Sequence, residues 1–129
     1  MTTTAISFGP IGADWIAAYG SASLDDNPVH QENGSPLGAA IVHGALLVAL
    51  LERAALSLTG ATCITDTVVQ FLSPIRQGTV VSFTLMRSRP VTHRTSNARQ
   101  FRIVGKTDAG SIFMMADCIA LNSDTANSL

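Results

Sequence analysis

SASLDDNPVHQENGSPLGAAIVHGALLVALLERAALSLTG, residues 21–60, joins a polar turn to the longest apolar segment of the chain. From Gly44 to Leu58 it is dominated by Ala and Leu, with no proline and no internal glycine, and Gly60 stands where a left-handed C-terminal cap belongs. The reading is a helix of about four turns. Leu46, Leu47, Val48, Leu50 and Leu51 leave it no wide polar face, and Glu52 and Arg53 are its only charges, so it belongs inside a fold. It is no membrane span: the uninterrupted apolar run, Ala45 to Leu51, falls far short of the roughly 20 residues a bilayer requires.

Everything else must serve that helix. The whole chain, residues 1–129, reads as one domain, and a helix buried on all sides needs most of the remainder wrapped around it. Low charge and high apolar content suggest that a second copy covers part of the surface, and a homodimer is expected. The start, MTTTAISFGP, has neither a basic stretch nor an apolar run, so no secretory signal is read and a cytoplasmic location is expected. Cys63 and Cys118 lie in apolar surroundings without metal or redox spacing; two buried thiols is the plain reading, a disulfide between them the alternative.

Charge is nearly balanced in total but not in distribution. Arg76, Arg87, Arg89, Arg94, Arg99, Arg102 and Lys106 follow one another with no acidic residue between them. For any single arginine a solvated strand face is the ordinary explanation; the clustering also suits the phosphates of a nucleotide-bearing carrier or an acidic carrier protein. Aromatic stacking platforms are scarce among these residues, which disfavours nucleic acid.

In chain order, a short strand is expected over residues 4–8, then a Gly9-Pro10 turn, then an amphipathic helix over residues 12–22 with Trp15, Ile16 and Tyr19 on one face. Beyond Gly60 the period changes. Residues 62–72, 79–88, 98–106 and 111–121 are rich in Val, Ile, Thr and Phe and are parted by Ser73-Pro74, by Arg89-Pro90 with a following loop, and by Asp108-Ala109-Gly110. Four such strands pair best as an antiparallel sheet with one apolar face on the helix, and the small polar residues 122–129 fray. The fold class is α+β: an antiparallel sheet wrapped around one long central helix, a hot-dog-like architecture.

Chemistry concentrates in the loop before the helix. Asp25 and His30 flank Pro28, so a bend at Asn27-Pro28 rather than a helix face must bring them together. A carboxylate and an imidazole converging on one water form a general acid/base pair; a turn-capping Asp25 and an ordinary polar His30 are the alternative. Gly44 opens the helix, where unpaired N–H groups and the positive end of the dipole would polarise a carbonyl oxygen.

The run Tyr19-Gly20-Ser21-Ala22-Ser23-Leu24-Asp25-Asp26-Asn27-Pro28-Val29-His30, followed by Ile41-Val42-His43-Gly44-Ala45-Leu46, resembles the signature of the MaoC-like, (R)-specific enoyl-CoA hydratase family: D-x-N-P-x-H, a loop, then a helix entered through H-G. Residues 70–78, QFLSPIRQG, resemble the strand-turn that follows that helix. The resemblance implies a hot-dog fold with its site at a dimer interface, Asp25 and His30 as the catalytic pair, and the Gly44 amide as the oxyanion donor. It makes Asp26 a solvated or turn-stabilising residue, gives Asn27, Pro28 and His43 site-shaping roles with His43 ordering the helix entrance, and calls for no cofactor; a metal site built from Asp25, His30 and His43 is the alternative, which no H-x-D or H-x-x-x-H spacing supports. Arg76, Arg87 and Arg89 are the candidate contacts to the carrier. Two departures stand out: the loop from His30 to Gly44 is short for the family, and Leu24 stands where the family often has glycine.

The implied reaction is reversible hydration of a trans-2-enoyl thioester, carried by coenzyme A or an acyl-carrier protein, to the (R)-3-hydroxyacyl thioester. The rivals are a hot-dog acyl thioesterase and a non-catalytic acyl-binding or partner subunit of a hydratase heterodimer.

Overall fold

The computed structural model describes residues 5–25, 27–31, 34–35, 38–94 and 96–121. The expected strand start at Thr4, the role of Asp26 and the fraying of residues 122–129 fall outside them. The order is β1 (Ala5–Phe8), α1 (Ala13–Ser23), a short 3-10 turn (Pro28–His30), α2 (Gly44–Thr59), β2 (Cys63–Phe71), β3 (Val81–His93), β4 (Ser96–Thr107) and β5 (Ile112–Leu121). The strands form one antiparallel sheet in the order β1-β3-β4-β5-β2.

α2 ends as its sequence predicts, on Gly60 with φ of 70° and its N–H donated to the Leu56 carbonyl. Leu47, Leu51, Ala54 and Ala55 follow the helical repeat and are buried against the sheet, where Phe83, Ile103, Phe113 and Met114 complete the core. Edge-to-face aromatic pairs, Phe8 with Phe83 and Phe83 with Phe113, tie β1, β3 and β5 to that core. Gly105 makes room for them: a Cβ there would lie 2.9 Å from Phe113 and 3.2 Å from Phe83.

Three expectations are corrected. α2 is not enclosed by its own chain: Ala45, Ala49, Arg53, Leu56 and Ser57 face outward, because a sheet curled over one side of a helix covers about half of its circumference. Arg89-Pro90 does not end the third strand, since β3 continues to His93 with Pro90 opposite Arg99. β1 pairs only with Val81–Thr84 of β3, so beyond Thr84 this strand has a neighbour on one side alone, and an edge tolerates a residue with no N–H. Both cysteines are free thiols, and only Cys118 is fully buried. Burial pushes the Cys118 thiol above its ordinary pKa.

Candidate active site

α1 stops at Leu24, whose φ of 60° is left-handed, and the Asp25 N–H closes the end by donating to the Gly20 carbonyl at 3.1 Å. The chain then makes two successive side-chain-capped turns. Asp25 Oδ1 accepts from the Asn27 N–H at 3.2 Å, and Asn27 Oδ1 accepts from the Val29 N–H at 3.2 Å. Pro28 opens the 3-10 turn that carries His30 back toward Asp25. With Oδ1 occupied by the turn, Asp25 Oδ2 faces His30 Nε2 at 3.5 Å.

His30 is fixed from its other side. Its Nδ1 donates to the Ile41 carbonyl at 2.6 Å, so a neutral ring carries its proton there and presents a bare Nε2 to Asp25. Ile41 is itself held by its N–H to the Val29 carbonyl at 3.0 Å and by a bridge to Arg76. His43, the residue before α2, makes no cap hydrogen bond. Its ring stacks on His30 with centroids 3.7 Å apart and planes 19° from parallel, while Tyr19 packs at 4.7 Å. His43 is only 2 % exposed and neither ring nitrogen has a partner among the described residues; Nε2 lies 3.9 Å from Asp25 Oδ2. Burial, and next the neighbouring His30, hold its pKa below the usual imidazole value, so it stays neutral.

Neither 3.5 nor 3.9 Å is a direct hydrogen bond, so the carboxylate and the imidazoles converge on a point without closing on one another. The cleft they border, about 530 Å³, is also lined by Gly20, Asn27 and Gln77. A second pocket of about 420 Å³ lies across His30, lined by Gly44, Leu47, Phe71 and Pro74. The Phe71 ring lies over Gly44, 3.5 Å from where a Cβ would stand. His30 alone among Asp25, His30 and Gly44 borders both spaces, with the carboxylate on one side and the helix start on the other.

No protein-family model and no curated protein sequence matches the chain. Its fold, however, is similar to solved structures. An (R)-hydratase from A. caviae involved in PHA biosynthesis superposes with a TM-score of 0.78 at 18% identity, over 94% of each chain. The R-hydratase PhaJ1 from Pseudomonas aeruginosa gives 0.76 at 17%, over 95% of this chain and 81% of that one. The HadBC (3R-hydroxyacyl-ACP dehydratase) complex from Mycobacterium tuberculosis gives 0.70 at 14%, over 92% and 94%.

This chain has the hot-dog fold.

In this hot-dog domain the residues expected from sequence do not all meet. Asp25, Asn27, His30 and His43 border one cleft, and Gly44 opens the adjoining pocket. Arg76 is exposed beside the site, next to Gln77 and bridged to Ile41. Arg87 and Arg89 are elsewhere, in a pocket on the sheet face opposite α2. Asp25, His30 and His43 also have ligand atoms within 4.8 Å of one another, as a metal site would. Sequence reasoning did not find Tyr19, Gln77 or the Ile41 carbonyl as parts of the site. The carbonyl comes from a residue eleven positions past His30 and carries no side-chain signal.

Proposed function

We propose that this hot-dog domain is a hydro-lyase of the MaoC-like kind, adding water reversibly to a trans-2-enoyl thioester to give the (R)-3-hydroxyacyl thioester. The observation that carries the reading is the 3.5 Å approach of Asp25 Oδ2 to a His30 Nε2 whose lone pair is exposed by the Nδ1–Ile41 bond. A water between them donates to both acceptors, which fixes its oxygen and raises its nucleophilicity. As that oxygen bonds to C3, His30 Nε2 takes its proton, the C2–C3 electrons move onto the thioester oxygen, and the pair returns a proton to C2. The developing enolate oxygen is stabilised at the start of α2, where the Gly44 N–H has no intrahelical acceptor. The thioester itself acidifies C2, so no cofactor or metal enters.

Carbon chain and carrier follow the same geometry. The pocket beyond Gly44 is lined by Ile41, Val42, Leu47, Phe71 and Leu72, which suits an acyl chain. Arg76, next to the site, suits the phosphates or acidic surface of a coenzyme A or acyl-carrier-protein thioester. The protein works as a homodimer: β2 is a free sheet edge with Val68 exposed on it, and the exposed Phe71 and Leu72 at and just past its end line the pocket with Gly44, so a second copy there closes the acyl pocket. No helix among the described residues is long and apolar enough to cross a membrane, and a cytoplasmic location accompanies the reading.

The test is loss of enoyl absorbance with a short trans-2-enoyl-coenzyme A and with its acyl-carrier-protein counterpart, thiol release being followed in parallel. Absorbance should fall without thiol release, and Asp25→Asn and His30→Ala should each slow it by about 10²–10⁴-fold while remaining folded. Thiol release would make the protein a thioesterase, and silence on both carriers would make it a non-catalytic subunit.

A further inference from the structure

The sheet face turned away from α2 holds a second constellation. Arg102 alternates along β4 with buried Phe101 and Ile103, so it points outward, and it stands directly between Arg87 on β3 and Asp117 on β5. Arg89 and Gln100 form the neighbouring pair. These five residues line a recess of about 200 Å³ that shares no residue with either space at the candidate active site.

Its charges do not balance. Asp117 engages both carboxylate oxygens with Arg102, each at 2.7 Å, and the Gln100 side-chain carbonyl accepts from Arg89 Nε at 2.7 Å and from Nη2. The Arg87 side chain has no hydrogen-bond partner among the described residues, although a like charge stands directly opposite it across the strands. Such a pairing is destabilising unless a counter-charge relieves it. One carboxylate cannot neutralise three guanidiniums. Asp117 is held below the usual carboxyl pKa chiefly by its hydrogen bonds to Arg102, and the fields of Arg87 and Arg89 act in the same direction.

We infer that this recess is a binding site for a phosphoryl group, held by Arg87 and Arg89 against a fixed wall made by the Arg102–Asp117 pair. Guanidinium forks match phosphoryl oxygens with paired N–H groups, and Gln100 already orients that of Arg89, so less freedom is lost on binding. A concave space lined by these side chains suits a compact oxyanion; an acidic protein surface would need a broad and open face. The phosphoryl group is either free in solution or part of a nucleotide-bearing thioester carrier.

Calorimetric titration of the whole protein with inorganic pyrophosphate at low ionic strength tests this. The wild type should bind saturably, about one per chain, and Arg87→Gln/Arg89→Gln should bind about tenfold or more weakly. Both arginines are exposed, so the double variant keeps its fold, checked by circular dichroism and its melting temperature. Arg53→Gln should bind as the wild type does, since Arg53 is exposed on the outward face of α2 and outside the recess. Absence of saturable binding, or equal affinity in the double variant, would overturn the site. Competition by coenzyme A but not by pantetheine identifies the carrier as the source of the phosphoryl group. Pyrophosphate binding that coenzyme A does not displace identifies a free phosphate, and the site stands in either case. No arm depends on turnover, so failure of this inference and failure of the hydratase reading are distinguishable.

Discussion

Leu24 and His43 show how single residues are set by the turn they serve. Leu24 is 87 % exposed and left-handed, a backbone state that costs an L-residue roughly 1–2 kcal/mol and a glycine almost nothing. Leu24→Gly should therefore stabilise the protein by about 0.5–1 kcal/mol in urea unfolding, the gain being reduced by the looser unfolded chain. His43 is the opposite case, a buried imidazole facing His30 and Asp25 whose folded pKa is below its reference value of 6.5. Its unfolded form takes a proton first as pH falls, so its contribution is full above 6.5 and is lost as pH drops from there through the folded value. His43→Phe keeps a stacked ring and removes the titration. Its stability should fall less than that of the wild type as pH drops below 6.5, as melting temperatures across a pH series would read. At this scale the bend at Asn27-Pro28 was legible in the sequence, because proline and Asx turns act over a few residues. The tautomer of His30 was not, because a backbone carbonyl brought in by the loop sets it.

Among the elements, β4 carries the tightest constraint. Gly105 admits the rings of Phe113 and Phe83, so Gly105→Ala forces two core aromatics apart and should cost about 1–3 kcal/mol, seen as a lower urea midpoint at unchanged slope. α2 was readable from its Ala and Leu content and its Gly60 stop, both of which act within the helix. The length of β3 was not readable. Pro90 signals a break locally, and it is tolerated only because β1 stops pairing at Thr84 and leaves that flank of β3 open.

For the whole molecule, the outward face of α2 and the open β2 edge are among the features one chain leaves uncovered. Val68 on that edge is 72 % exposed. Val68→Glu places like charges where two copies would meet. It should convert a dimer to a monomer in sedimentation velocity and lower hydration at fixed protein concentration, with the monomer's secondary structure kept. A wild type that sediments as a monomer would refute the edge-to-edge homodimer.

The sequence by itself determined a long apolar helix ahead of an antiparallel sheet and a polar bend that carries Asp25 and His30, because helix propensity, strand period and proline turns are properties of neighbouring residues. Only the tertiary structure decided that His43 stacks on His30, that the Ile41 carbonyl orients it, and that Arg87 and Arg89 gather on the far face of the sheet while Arg76 stays beside the site. Those outcomes depend on strand register and on which way the sheet curls, and both are set by packing between residues distant in the chain.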